Sequence, residues 1–130
     1  MPDRPRILIV GAGIAGLTLA AGLERCGITP VVIEIANESL SRGLALLLTS
    51  NAGLALRRIG LEKVVVERGI VLEQIVQTDS SETPNAHHDL RPSNERYSPN
   101  IGITRDALIS SISSGTRAQI RYSTTITALE

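Results

Sequence analysis

The chain has 130 residues, with 13 basic against 13 acidic side chains and 42% hydrophobic residues, totals that fit one α/β-sized domain without electrostatic bias. With no Trp, no Phe and only Tyr97 and Tyr122 as aromatics, it lacks the basic footprint and stacking surface of a nucleic-acid binder and the material for an interfacial membrane anchor. A single cysteine, Cys26, excludes an internal disulfide and a multi-cysteine metal site, agrees with a reducing compartment and reads as a small buried hydrophobe.

The run from Ile7 to Leu23 carries no charge and follows Arg4 and Arg6, a superficial likeness to a signal peptide or a short span. Gly11, Gly13, Gly16 and Gly22 interrupt it, and its β-branched first half differs from its Ala/Leu-rich second half, so it reads as strand then helix. The protein is therefore expected to be cytoplasmic, without a leader or a membrane span. Arg6 to Val10 is predicted to be a central parallel strand covered on both faces. Ile14 to Arg25 has helical spacing, and Gly27 supplies the residue best suited to end it. Pro30 opens a second buried strand, Val31 to Ile33, which closes on Glu34. Together these make a βαβ unit of roughly 30 residues.

Asn37 to Gly43 is polar loop and Leu44 to Leu48 a short apolar extension. Thr49 or Ser50 can cap a helix over Asn51 to Ile59, ended by Gly60, with a further turn or two over Leu61 to Arg68. Ile70 to Gln77 alternates as a strand. Thr78 to Asn100 holds only Ala86, Leu90 and Tyr97 as hydrophobics and is expected to be a flexible excursion or a piece of a second domain. Ile101 to Ile103 is short and extended. Thr104 can cap a helix to about Ser114, stopped by Gly115, and two β-rich runs follow, Gln119 to Ser123 and Thr125 to Leu129.

Gly11-Ala12-Gly13-Ile14-Ala15-Gly16 is a GxGxxG turn placed directly after a strand and opening a helix, the context in which that pattern binds dinucleotides. Gly11 permits the tight turn, Gly13 lets backbone approach a pyrophosphate, and Gly16 allows close helix-to-strand packing. The helix N-terminus offers free N–H groups and the positive end of its dipole to the phosphates. Glu34, 18 residues beyond Gly16, can accept from both hydroxyls of an adenosine ribose and disfavours a 2′-phosphate, which points to FAD or NAD rather than NADP. The bland alternatives are a purely structural glycine turn and, for Glu34, a solvent-facing strand end. His87 and His88 point to opposite faces of an extended chain and cannot readily share a metal. Arg57 and Arg58 suit a helix C-terminus. Arg105 is either an ordinary first-turn residue or, being disfavoured beside a helix N-terminus, one kept for function. No catalytic nucleophile–base pair, paired carboxylates or metal site stands out.

Ile7 to Leu17 with Glu34, then Gly43-Leu44-Ala45-Leu46 leading into Asn51-Ala52 and Ile59-Gly60-Leu61, then Ile103-Thr104-Arg105-Asp106-Ala107-Leu108-Ile109, resemble the FAD-dependent monooxygenases of the aromatic-hydroxylase type, similar to salicylate and para-hydroxybenzoate hydroxylases. The resemblance implies that Gly11, Gly13, Gly16, Glu34, Gly43, Ala45 and Arg105 bind FAD. In that family the arginine matching Arg105 contacts the flavin nucleotide, backbone near Ala45 lies along it, and the strand matching Thr125 to Leu129 passes beside the adenine. Ile35, Ala45 and Ser50 depart from the family's usual basic residue, glycine and proline.

The fold expected is α/β, a Rossmann-like FAD-binding βαβ unit with a partial parallel sheet, incomplete relative to a full flavoenzyme. Family members run to roughly three times this length, in keeping with a flavin domain joined to a substrate domain, and the family's later Asp-Gly and Gly-Asp-Ala segments do not occur here. Residues 1–130 thus read as the N-terminal part of an FAD-binding domain, with 77–103 belonging to or reaching toward a substrate domain. The implied cycle uses NAD(P)H as reductant and O2 to hydroxylate an aromatic or polyketide-like small molecule, with the chain itself inactive and binding FAD weakly or not at all. The competing reading is a non-catalytic ADP- or dinucleotide-binding module or a degenerate paralogue; an amine oxidase or desaturase is disfavoured because paired glycines around Arg42-Gly43 are absent. The oligomeric state is left open. An interrupted sheet also predicts an unpaired edge, exposed apolar faces and a tendency to aggregate.

Overall fold

A helix ended by glycine between two short β-branched runs is the first arrangement the chain builds. The computed structural model describes residues 6–37 and 44–128. Strand β1 (Leu8–Val10) leads into helix α1 (Ile14–Arg25) and strand β2 (Val31–Ile33). Gly27 takes φ +77, and the Gly27 and Ile28 amides return to the carbonyls of Glu24 and Leu23, closing α1 as only a residue at ease in the left-handed region can. The described residues form two compact units, 1–43 with 105–130 and 44–104.

In the first unit β1, β2 and β8 (Gln119–Arg121) form a parallel sheet in the order β1-β2-β8. Ile9, Val32 and Ile120 stand in register along one row, and α1 packs on it, while helix α5 (Arg105–Ser114) packs against α1. Leu17, Ala20 and Ala21 from α1 and Leu108, Ser111 and Ile112 from α5 are buried. The expectation that β1 would be central and covered on both faces is corrected: β2 is the middle strand, and Leu8 and Val10 are 52% and 61% exposed. Only the Ile9 face of β1 meets a helix among the described residues. Cys26 is also corrected, since it is exposed at the end of α1 and not buried. The expected strand at 125–129 does not form over 125–128, and residue 129 lies outside the described residues. Ser123 has φ +49, which turns the chain out of the extended region after β8.

In the second unit β3 (Ala45–Leu48), β7 (Ile101–Thr104) and β4 (Ile70–Val71) form an antiparallel sheet in the order β3-β7-β4. Helices α2 (Ser50–Arg58) and α3 (Glu62–Arg68) follow β3. Thr49 is the N-cap of α2 and its carbonyl accepts from Ala52 and Gly53. The single strand expected at 70–77 is two, β4 and β5 (Gln74–Thr78). The excursion expected over 78–100 is corrected as well: it holds strand β6 (Pro84–Asp89), paired antiparallel with β5, and helix α4 (Arg91–Arg96). Asp79 explains the hairpin, because its Oδ1 accepts from the Ser81 and Thr83 amides at 2.8 and 2.9 Å and so folds the turn without apolar help. Among the described residues no helix is long and apolar enough to cross a membrane.

Candidate functional site

The glycine turn joins β1 to α1 and is tied to β2 at two points. The Gly11 amide donates to the Ile33 carbonyl at 2.7 Å, and the Ala12 amide donates to Glu34 Oε2 at 2.8 Å. Gly11 has φ +104, a conformation that side-chain-bearing residues resist. Gly13, the N-cap of α1, is extended at φ −79 and ψ −175, with no side-chain cap and no acid in the first turn of the helix. The N-terminal amides of α1 therefore have no side-chain cap, and the nearest acid is Glu34 on the Ala12 amide.

The three glycines differ in what a Cβ would meet. At Gly16 it would lie 2.0 Å from the Gly11 carbonyl oxygen and 3.2 Å from Ile9 Cγ2, so helix and turn touch through the missing atom. At Gly11 nothing lies within 4 Å, and at Gly13 only Arg105 Nη2 does, at 4.0 Å. Gly16 is thus a packing glycine, whereas Gly11 and Gly13 border open space. That space, lined by bare backbone and one guanidinium, fits a diphosphate.

Arg105 is the first residue of α5, and Asp106 supplies an acid to the same turn. A cation there works against the helix dipole, but its guanidinium reaches the Gly13 side of the turn and forms no ion pair among the described residues.

Glu34 sits just past β2 and is half-buried. Its Oε1 accepts from the Ala36 amide at 2.9 Å while Oε2 holds Ala12. These amides, Ala36 foremost and then Ala12, hold its carboxyl below the ordinary glutamate range against the opposing pull of burial. Each oxygen keeps lone-pair capacity for a further donor, so the ionised acid remains able to accept from ribose hydroxyls.

Five of the seven residues singled out in the sequence, Gly11, Gly13, Gly16, Glu34 and Arg105, belong to the first unit and gather at this turn. Ala45 belongs to the second unit, exposed at the start of β3 opposite Thr104. Gly43 lies outside the described residues. The Ala12 amide as a partner of Glu34 is not legible in residue order, because a main-chain donor carries no residue signature. His87 and His88 are exposed on β6, opposite Val76 and Ile75.

The profile of the FAD binding domain family matches residues 4–130. Monooxygenase 2 of Arabidopsis thaliana is 32% identical over 128 residues, covering 97% of this chain and 31% of that enzyme. The 3-amino-4-hydroxybenzoate 2-monooxygenase PtmB3 of Streptomyces platensis is 41% identical over 66 residues, 51% of this chain and 17% of the enzyme. Among solved structures, p-nitrophenol 4-monooxygenase PnpA from Pseudomonas putida superposes with a TM-score of 0.82 at 20% identity, over 91% of this chain and 31% of that one. The fold is shared at that level of identity, and the chain spans about a third or less of these relatives' length.

Proposed function

Because the chain belongs to the FAD binding domain family, whose relatives here are named as aromatic hydroxylases and monooxygenases, we propose that its turn and Glu34 hold the ADP half of FAD for such an enzyme. The observation that carries this reading is the open, side-chain-free space over Gly11 and Gly13, bordered by Arg105 Nη2 and by a Glu34 already fixed to the turn. The α1 amides and Arg105 take the diphosphate. Glu34 takes the ribose hydroxyls and repels a 2′-phosphate by like charge. Residues 77–103 belong to or reach toward the substrate-bearing part. When bound, the flavin supplies the redox and oxygen chemistry, with NAD(P)H as reductant and an aromatic or polyketide-like small molecule as substrate.

Gly13→Val tests the reading cleanly. Its backbone is already extended, and a Cβ there meets nothing nearer than Arg105 Nη2 at 4.0 Å. Isothermal titration should show FAD and ADP binding to the native chain, NADP about tenfold weaker or worse, and no binding to a variant that stays folded, its thermal stability lowered only by the poorer N-cap. Equal affinity of the variant overturns the diphosphate assignment. A second reading is favoured by the same site: the groups gathered there address only diphosphate and ribose, which ADP-ribose and NAD share with FAD. Equal binding of all three would make the chain an ADP-binding module, and a clear FAD preference supports the flavoprotein.

A further inference from the structure

We propose that Glu34 is a positioning residue for the phosphate-binding turn, holding it through the Ala12 amide in the shape that receives a diphosphate, before and apart from any contact with ribose. The inference rests on the proposed nucleotide site and adds a second role to one of its residues. The turn between β1 and α1 has few means of holding its shape. Gly11 and Gly13 bring no side chain, and the cap position of α1 makes no side-chain hydrogen bond. What fixes it to the neighbouring strand is one backbone bond, Gly11 to Ile33, and one side-chain bond, Ala12 to Glu34 Oε2. Ala12 is buried at 8% exposure, so its amide has no ready substitute in water. The other carboxylate oxygen is anchored by Ala36, and the Glu34 backbone is held on both sides, its amide on the Arg121 carbonyl and its carbonyl under the Thr124 amide. The acid is thus a strut between β2 and the turn.

A role confined to the sugar and a role in shaping the turn predict opposite signs for a ligand without a sugar. Inorganic pyrophosphate is such a ligand. Removing a carboxylate near an anion site tightens anion binding by charge alone, whereas removing the strut weakens it. The native chain, E34A and E34Q are titrated with ADP and with pyrophosphate, followed by the amide resonances of Gly13 and Ala15. E34A is expected to bind pyrophosphate about tenfold more weakly than the native chain, the scale of losing one hydrogen bond to a charged group. E34Q has the same charge as E34A but keeps an acceptor oxygen, and should recover part of the loss. Exchange of the Ala12 amide should be faster in E34A than in the native chain, with Val32 unchanged. Pyrophosphate binding to E34A as tight as or tighter than native, with ADP alone weakened, overturns the positioning role and leaves the ribose contact standing. If E34A does not fold, E34Q decides alone: unchanged or tighter pyrophosphate binding overturns the proposal. Absence of ADP binding by the native chain overturns this inference and the nucleotide reading together.

Discussion

In the first unit the turn is secured to β2 by one carbonyl and one carboxylate, and its closest packing, Gly16 against the Gly11 carbonyl, depends on an atom that is not there. In the second unit the joints are buried polar side chains. Asn100, 5% exposed, accepts from the Ser50 amide and donates toward Ser50 Oγ, Ser93 Oγ and Asn94 Oδ1. Asn94 in turn holds the Leu72 carbonyl and the Asn100 amide. Ser98, fully buried, donates to Glu62, which also receives Arg57. A contact made through a missing Cβ fails when atoms are added, and a joint made by a polar side chain, Glu34 in the first unit or Asn100 in the second, fails when atoms are taken away.

Adding atoms to the first unit should have the most severe consequence. Gly16→Val would drive its Cβ to 2.0 Å from a carbonyl fixed in the turn, and neither backbone can yield without separating α1 from β1. The expected cost exceeds about 3 kcal/mol, read as a lower urea midpoint with nucleotide binding lost alongside. Gly13→Val, three residues away, should lose binding for a much smaller drop in midpoint, that of a poorer N-cap. If both variants kept native stability, the distinction between a packing glycine and a ligand-facing one would be wrong.

Taking atoms from the second unit comes next. Asn100→Ala strands the Ser50 amide and removes the side-chain bonds to Ser50, Ser93 and Asn94, leaving α4 its Asn94 bonds to the Asn100 amide and the Leu72 carbonyl, for about 2 to 3 kcal/mol. Hydrogen exchange should accelerate over 50–58 and 91–96 while the amides of α1 stay protected. Uniform acceleration through the whole chain would show that the two units do not respond separately to the loss of this joint.

The same contrast decides what could be read from residue order. The βαβ unit was legible because its determinants are local: β-branched runs, a glycine after α1, and a GxGxxG turn in register with Glu34. The position of β1 in the sheet was not, since three apolar residues look the same on a central strand and on one with a bare face. Of the two readings of Thr78 to Asn100 only the flexible excursion fails, because β6 has little apolar surface beyond Pro84 and Ala86 and α4 is short. Their order comes from Asp79 at the hairpin turn and from Asn94 and Asn100, whose partners lie up to 50 residues apart. Distant polar pairing leaves no period in a sequence, and a buried asparagine is spelled like an exposed one. Arg105 stood between the two cases: its misfit with a helix N-terminus was visible, but its reach to Gly13 needed coordinates.

Acid gives the mildest test of the difference, through Glu62. Its carboxyl lies below the ordinary glutamate value, chiefly because Arg57 donates to it at 2.6 and 2.7 Å and then because Ser98 does. A carboxyl whose folded pKa is depressed contributes its full stabilisation above the unfolded value of about 4.5 and loses it as pH falls through the folded value. Arg57 is half-exposed, so solvent screens the pair and its contribution is small. The native chain should therefore exceed Glu62→Gln in stability by a constant margin from pH 5 to 7. The margin should shrink toward zero below pH 4 and narrow with added salt. Glu34 titrates in the same direction but is held by backbone amides, not by a cation, so its acid response should persist in high salt where that of Glu62 fades. Equal salt sensitivity of the two carboxylates, followed by their side-chain resonances, would show that the first unit leans on charge as much as the second does.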